Sequence, residues 1–412
     1  MLLRIDKIAL SFIVICLISM ALPYILGLGG ENVFIKDFYA KRIMSLFGLP
    51  FFALIVFVVL RNGNLRINRK ILFYIFVYSV ILIHSLFLGN RTSLIGTDAF
   101  IATLPIVFYL CVNKTGFKID GFLEGFNYLL IAAAILVIMG VKLQFSYFSL
   151  ISVVYLIFLL RWNKIEILLL LALPLILVES LIGKSALIML FFLVAYFFIL
   201  DRNLVSFQKK VYLLLIPSLA FFLLLIIFWE QIQTTGSYRN FVYFLSNTDF
   251  SSLSFKDQST GHRLFEAQRV LEEYGDADFW KRLFGHGFGA TIDLSETPDA
   301  TIAKANENIA EVRHIHIGIF AVLYRYGIVG VGIYIFFIFR MARACFRVLN
   351  RTNSKALALS ALYVLILLFD SLISFPHMMS NFLFWLLAFV VLKKEKTLYK
   401  KSIQSFSFKS QM

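Results

Sequence analysis

Long apolar runs separated by short polar joints dominate the chain, and most approach the ~20 residues a helix needs to cross a bilayer. The pattern predicts an all-α polytopic membrane protein of about twelve spans. The first six are Ile8–Leu28, Ile43–Leu60, Ile71–Leu88, Leu94–Val112, Leu123–Val141 and Leu143–Leu160. The others are Ile165–Ile182, Ala186–Leu200, Val211–Trp229, His316–Phe339, Ala356–Ser374 and Met378–Leu392. Joints at Lys142 and at Gly183-Lys184-Ser185 are tight, and one long tilted helix at either would reduce the number to eleven. The single large interruption is polar. Residues 230–315 form a loop between spans nine and ten, so the chain divides into spans 1–229, this loop, spans 316–392 and a basic tail 393–412.

Within the loop, Leu264, Ala267, Leu271 and Tyr274 recur at helical spacing, with Glu266, Arg269 and Glu273 elsewhere around the turn. An amphipathic helix over Arg263–Tyr274 follows. Phe279-Trp280 and Leu283-Phe284 form an apolar edge suited to a bilayer interface. The tail, rich in Lys and Ser, reads as a disordered segment touching anionic lipid.

Composition agrees with a membrane setting. Hydrophobic residues make up 60% and charged residues 15%, where a soluble globule runs nearer half and a quarter. A net charge of +15 raises nucleic acid as a partner, but the basic residues sit in short joints and not on one folded face, so no nucleic acid is expected. With the N-terminus inside, the inner joints hold 24 of the 39 Lys and Arg residues, which places both termini in the cytoplasm and the long loop outside. The apolar stretch after Arg4 and Lys7 is too long for a signal-peptide core and reads as a retained first span. Of the 24 carboxylates, 13 lie between Glu230 and Arg313, which marks the loop as the working part. Cys16, Cys111 and Cys345 lie in or beside apolar runs and show no metal spacing.

His316 stands where the loop meets span ten, and a neutral imidazole there can take a proton from a hydroxyl; an interfacial His bonded to water or head groups is the competing role. His314-x-His316 has metal-like spacing but no third ligand, so no metal is expected. Arg263 and Arg313 offer forked donors to a pyrophosphate. Arg325, inside span ten, needs a carboxylate such as Asp370 or an aqueous cavity, and Asp370 is itself costly within a span. Glu179 and Lys184, at the outer end of span seven, either pair with each other or line the same cavity. Gly285, Gly287 and Gly289 let backbone approach a ligand closely. They are no dinucleotide fingerprint, because no strand-helix-strand unit surrounds them, and Gly183-Lys184-Ser185 lacks the earlier glycine of a phosphate loop.

These segments resemble the O-antigen ligase and O-antigen polymerase superfamily of bacterial membrane glycosyltransferases. Thr260-Gly261-His262-Arg263-Leu264 is similar to its Arg-bearing loop helix, and Leu283-Phe284-Gly285-His286-Gly287 to its Gly-x-Gly turn. His316 precedes Gly327-Ile328-Val329-Gly330 by eleven residues, the family spacing, which selects it over His314. The match covers roughly residues 175–335. Two positions depart from it: Gly183-Lys184-Ser185 stands where many members have Ser-Arg-Gly, and Ile317 where Asn is common. Lys keeps the charge but loses the fork.

The resemblance implies a multi-pass protein of the bacterial inner membrane with an undecaprenyl-diphosphate-linked oligosaccharide as donor, and no nucleotide sugar, cofactor or metal. It implies Arg263, Lys184 and Arg313 neutralising the diphosphate, and His316 as base on the acceptor hydroxyl with inversion at the anomeric carbon. Glu179, Gly285, Gly287 and Arg325 complete the expected substrate-binding set. Membrane lipid, a chain-length regulator and other polysaccharide assembly proteins are the implied partners. The departures favour polymerase, with ligase (transfer of finished glycan to lipid A core) second. A transporter or flippase is the rival from another class, although the position of the large loop does not suit paired transporter halves.

Overall fold

In the computed structural model, the described residues are 5–28, 52–58, 69–113, 117–138, 152, 248–249, 254–255, 258–293, 311–312, 315–352, 354–373, 379 and 381–409. Among them the chain is overwhelmingly helical: α1 (Ile5–Ile25), α2 (Arg69–Phe87), α3 (Thr92–Asn113), α4 (Ile119–Ile138), α5 (Gln258–Asp276), α6 (Phe279–Phe284), α7 (Gly318–Arg351), α8 (Lys355–Ile373) and α9 (Phe382–Lys409). Two short antiparallel hairpins accompany the loop, β1 (Thr248–Asp249) with β2 (Ser254–Phe255), and β3 (Ile292–Asp293) with β4 (Glu311–Val312).

Among the described residues, four helical stretches are long and apolar enough to cross a membrane: Ile5–Ile25, Leu94–Asn113, Ile119–Leu136 and Gly318–Arg351. Leu72–Phe87 and Ala356–Leu372 are shorter apolar helices. The protein is thus an all-α membrane protein in its described parts. Expected spans one, three, four, five and ten to twelve all coincide with helix, whereas spans six to nine lie almost wholly outside the described residues.

One continuous apolar core joins α1, residues 52–58, α3, α4, α7, α8 and α9. Aliphatic and aromatic residues fill it: Phe122 stacks on Phe126 at 5.8 Å, and Tyr109 meets Phe389 edge-on at 5.4 Å. Buried aromatics of this kind contribute about 0.5–1.5 kcal/mol per pair beyond their area.

The helix ends define two poles. At one, the α2–α3 turn (residues 88–91) touches the segment after α6. At the other, α9 clasps three neighbours in succession: Lys393 Nζ donates to Val112 O at 2.6 Å, Lys394 meets Asp120 at 2.5 Å, and Glu395 takes Arg340 at 3.0 Å and Arg347 at 2.8 Å. Lys393 thereby satisfies a carbonyl at the end of α3, where a cation is also favoured by the helix dipole. A disordered tail is expected beyond residue 392, but α9 continues as helix to Lys409. Its anchoring through Lys393, Lys394 and Glu395 explains why the helix persists past the apolar run.

Candidate functional site

α5 is the loop helix expected from the sequence, longer by several residues at its start. Its buried face differs from the expected one. Glu266, Ala267 and Val270 are buried while Leu271 is exposed, so the face turned toward α7 follows Glu266, Val270 and Glu273. Val270 packs with Ala290, Ile292, Ile315, Ala321 and Tyr324 in a small core of its own. Polar contacts to α7 join this apolar packing.

The foremost of these contacts involves His316. Glu266 is 0% exposed and grips that residue twice: Oε2 accepts from the His316 backbone N–H at 2.8 Å, and Oε1 lies 2.8 Å from Nδ1. Burying a carboxylate costs several kcal/mol unless hydrogen bonds replace its water. The backbone N–H must donate, and an ionised carboxylate accepts with both oxygens, so Nδ1 is the protonated nitrogen facing Glu266 and Nε2 is the acceptor when the ring is neutral. Glu266 also sits at the amino end of α7, where a helix favours negative charge. The imidazole side chain is 43% exposed. A half-open His with its tautomer fixed by a buried carboxylate is the arrangement of a general base held by a positioning residue.

Chain geometry delivers His316 to this place. β4 pairs with β3 in the register Ile292↔Val312, which fixes the backbone four residues before it. Ile315 is buried in the small core immediately before it, and α7 starts two residues after it.

Below the Glu–His pair, the Tyr324 hydroxyl lies 3.0 Å from Glu273 Oε2 and 2.9 Å from Thr291 O, and its one proton is donated to one or the other. Desolvation first raises the Glu273 carboxyl above its ordinary range, although the Tyr324 hydrogen bond and Arg269 pull the other way. His286 stacks on Tyr324 at 4.3 Å. Its Nε2 approaches Glu273 Oε2 at 3.9 Å.

The Gly-x-Gly-x-Gly turn is bolted to the protein itself. All five N–H groups from Gly285 to Gly289 are bonded: in order they reach Lys281 O, Tyr324 O, Arg325 O, Ser85 Oγ and Asp98 Oδ2, at 2.7–2.9 Å. His84 Nε2 meets Gly285 O at 3.1 Å, and Asn90 donates to the carbonyls of His286 and Phe288 at 2.8 and 2.9 Å. α7 kinks at Gly327 to receive the turn. Gly285 and Gly327 have φ of 76° and 61°, and a Cβ at Gly327 would stand 2.5 Å from the Leu283 carbonyl, so both need glycine.

Of the expected site residues, Arg263 lies on α5 one turn before Glu266 and is half-buried, so it and the Glu–His pair share one end of the α5–α7 packing. Gly285 and Gly287 face the backbone of Arg325 and the side chain of Ser85, respectively. Arg325, expected to meet a carboxylate such as Asp370 or to line an aqueous cavity, approaches the carboxylate of Asp98 at 3.6 Å. Glu179, Lys184, Arg313 and His314 lie outside the described residues. Sequence reasoning missed Glu266, Asp98, Ser85 and Asn90; only Glu266 left a signal, standing three residues from Arg263 in register with Val270 and Glu273. No protein-family model matches the chain, and no curated protein or solved structure matches it.

Proposed function

We propose that the chain is a glycosyltransferase of the bacterial inner membrane acting on its periplasmic face, and specifically a surface-polysaccharide polymerase. It transfers the growing glycan from undecaprenyl diphosphate to an incoming lipid-linked repeat unit. The observation that carries this reading is the Glu266–His316 pair, with Nδ1 held at 2.8 Å and the ring half open at a pole of a membrane protein. In the reaction an acceptor hydroxyl attacks the anomeric carbon. His316 Nε2 takes its proton as the new glycosidic bond forms, and the bond to the diphosphate oxygen breaks with its electron pair leaving on the diphosphate. Arg263 is assigned to the leaving diphosphate, together with Lys184 and Arg313 on the sequence pattern. A twelve-span topology with both termini cytoplasmic accompanies this reading.

The test is a gel of surface and lipid-linked glycan from cells lacking the gene, rescued by wild type or His316→Ala. Core lipid carrying single repeat units, lengthened by wild type and not by the variant, is the expected result. Full-length glycan held on the lipid carrier would make the chain a ligase. Unchanged ladders would overturn both.

A further inference from the structure

We propose that α6 and the turn after it form a re-entrant wedge, inserted into the bilayer from the His316 pole, with Phe279 and Trp280 against lipid acyl chains. Three observations converge on this placement.

The first is depth. Gly285 and Leu283 abut α7 at Arg325–Gly327, inside a membrane-spanning helix. Gly327 stands thirteen residues from Arg340, where α7 becomes cationic at the opposite pole, a rise of about 20 Å in a hydrocarbon core of about 30 Å. α2 and α3 give the same answer independently. Ser85 and Asp98, which bond the turn, each lie at least fifteen residues from the far end of their helix, a rise of about 22 Å. The turn therefore sits roughly 8–10 Å below the near boundary. From Phe279 to Gly285 a helical rise of about 9 Å covers that drop, with exposed Asp278 left at the surface as the cap of α6.

The second is the surroundings at that level. Ile83, Leu86 and Phe87 on α2 and Ile328 on α7 are exposed there, forming an apolar belt of the kind a spanning helix turns to lipid. Phe279 and Trp280 extend it, at 69% and 61% exposure, and Trp280 stacks on Phe284 at 6.1 Å. Arg282 reaches back to the carbonyl of Gly275, away from the turn, as a snorkelling side chain does.

The third is the bonding of the turn. Non-helical backbone is tolerated at membrane depth only where protein satisfies it, and every N–H from Gly285 to Gly289 has a protein acceptor. A surface loop in water has no need of such complete satisfaction. α6 occupies this position whether or not the Glu–His pair transfers sugars.

The test uses full-length protein in phosphatidylcholine–phosphatidylglycerol liposomes, with a nitroxide at Trp280→Cys or, as the aqueous reference, at Glu272→Cys on the exposed side of α5. Cys16, Cys111 and Cys345 are buried and stay in place. Oxygen concentrates in hydrocarbon and a nickel chelate stays in water. The ratio of oxygen to nickel collisions should be at least about tenfold higher at position 280 than at 272, reflecting the exclusion of a hydrated ion from apolar lipid. Equal ratios, or a label at 280 shielded from both reagents, overturn the proposal. Without any label, bromine on the acyl chains should quench wild-type tryptophan emission more than that of Trp280→Phe; equal quenching also overturns it.

Discussion

Glu266 and Glu395 are both buried carboxylates that tie one helix to α7, at opposite poles, yet their partners differ in kind. Glu395 receives two guanidinium groups, Arg340 and Arg347, and Arg347 also lies 5.8 Å over the Tyr399 ring. Burial alone would push the Glu395 carboxyl up; the two arginines outweigh it and hold it below its ordinary range. Two charge-assisted hydrogen bonds from guanidinium groups make the cluster a clamp. Glu266 instead holds one imidazole and the backbone of the same residue. That partner is a half-open ring and not a fixed cation. Both carboxylates are buried, so the nature of the partner separates them: two guanidinium groups fit an anchor, and an imidazole fits the proton acceptor of the proposed function.

The largest expected effect is that of His316→Ala. Glycan transfer should fall about 10²–10⁴-fold, the range for removal of a general base, with the melting temperature near wild type. Turnover assayed on purified protein with lipid-linked donor checks this; undiminished turnover would reduce Glu266–His316 to a second clamp.

Next come the matched variants. Glu266→Gln keeps the shape but weakens the hold on the ring, and should lower turnover roughly 10–100-fold. Glu395→Gln should leave turnover unchanged. Similar turnover in the two variants breaks the contrast.

Glu395→Ala should cost about 1–2 kcal/mol of stability, measured by denaturant titration in detergent. That is less than for a fully sealed pair, because both arginines are about a third open to water.

The smallest effect is in pH. The folded Glu395 carboxyl titrates below its unfolded value, so its contribution is present above about pH 4.5 and disappears as pH falls through the lower folded value. The melting-temperature gap between wild type and Glu395→Gln should narrow in acid over that window. A gap that widens there would mean that the carboxyl is raised, not lowered.

The apolar runs made the helices legible, because a bilayer demands length and hydropathy and little else. His316 was legible as a polar residue at a helix start. Glu266 was not, because an apolar stripe does not mark a buried carboxylate: Ala267 is buried as the stripe implies, but Leu271 is exposed and Glu266 is buried. Asp98 and Ser85 were beyond reach for a different reason: they bond residues 191 and 203 positions away, and nothing local announces such partners. The glycine run marks a close backbone approach, and at Gly285 the backbone received is that of α7.

That long separation has a consequence for biosynthesis. The α2–α3 hairpin leaves the ribosome almost two hundred residues before the glycine turn, an interval of about 10–40 s at usual synthesis rates. Throughout it, Ser85, Asn90 and Asp98 stand in or beside the membrane before the turn they bond is made. The hairpin is inserted early and completed late, so a chain truncated before residue 285 exposes an unfinished polar seam to quality control.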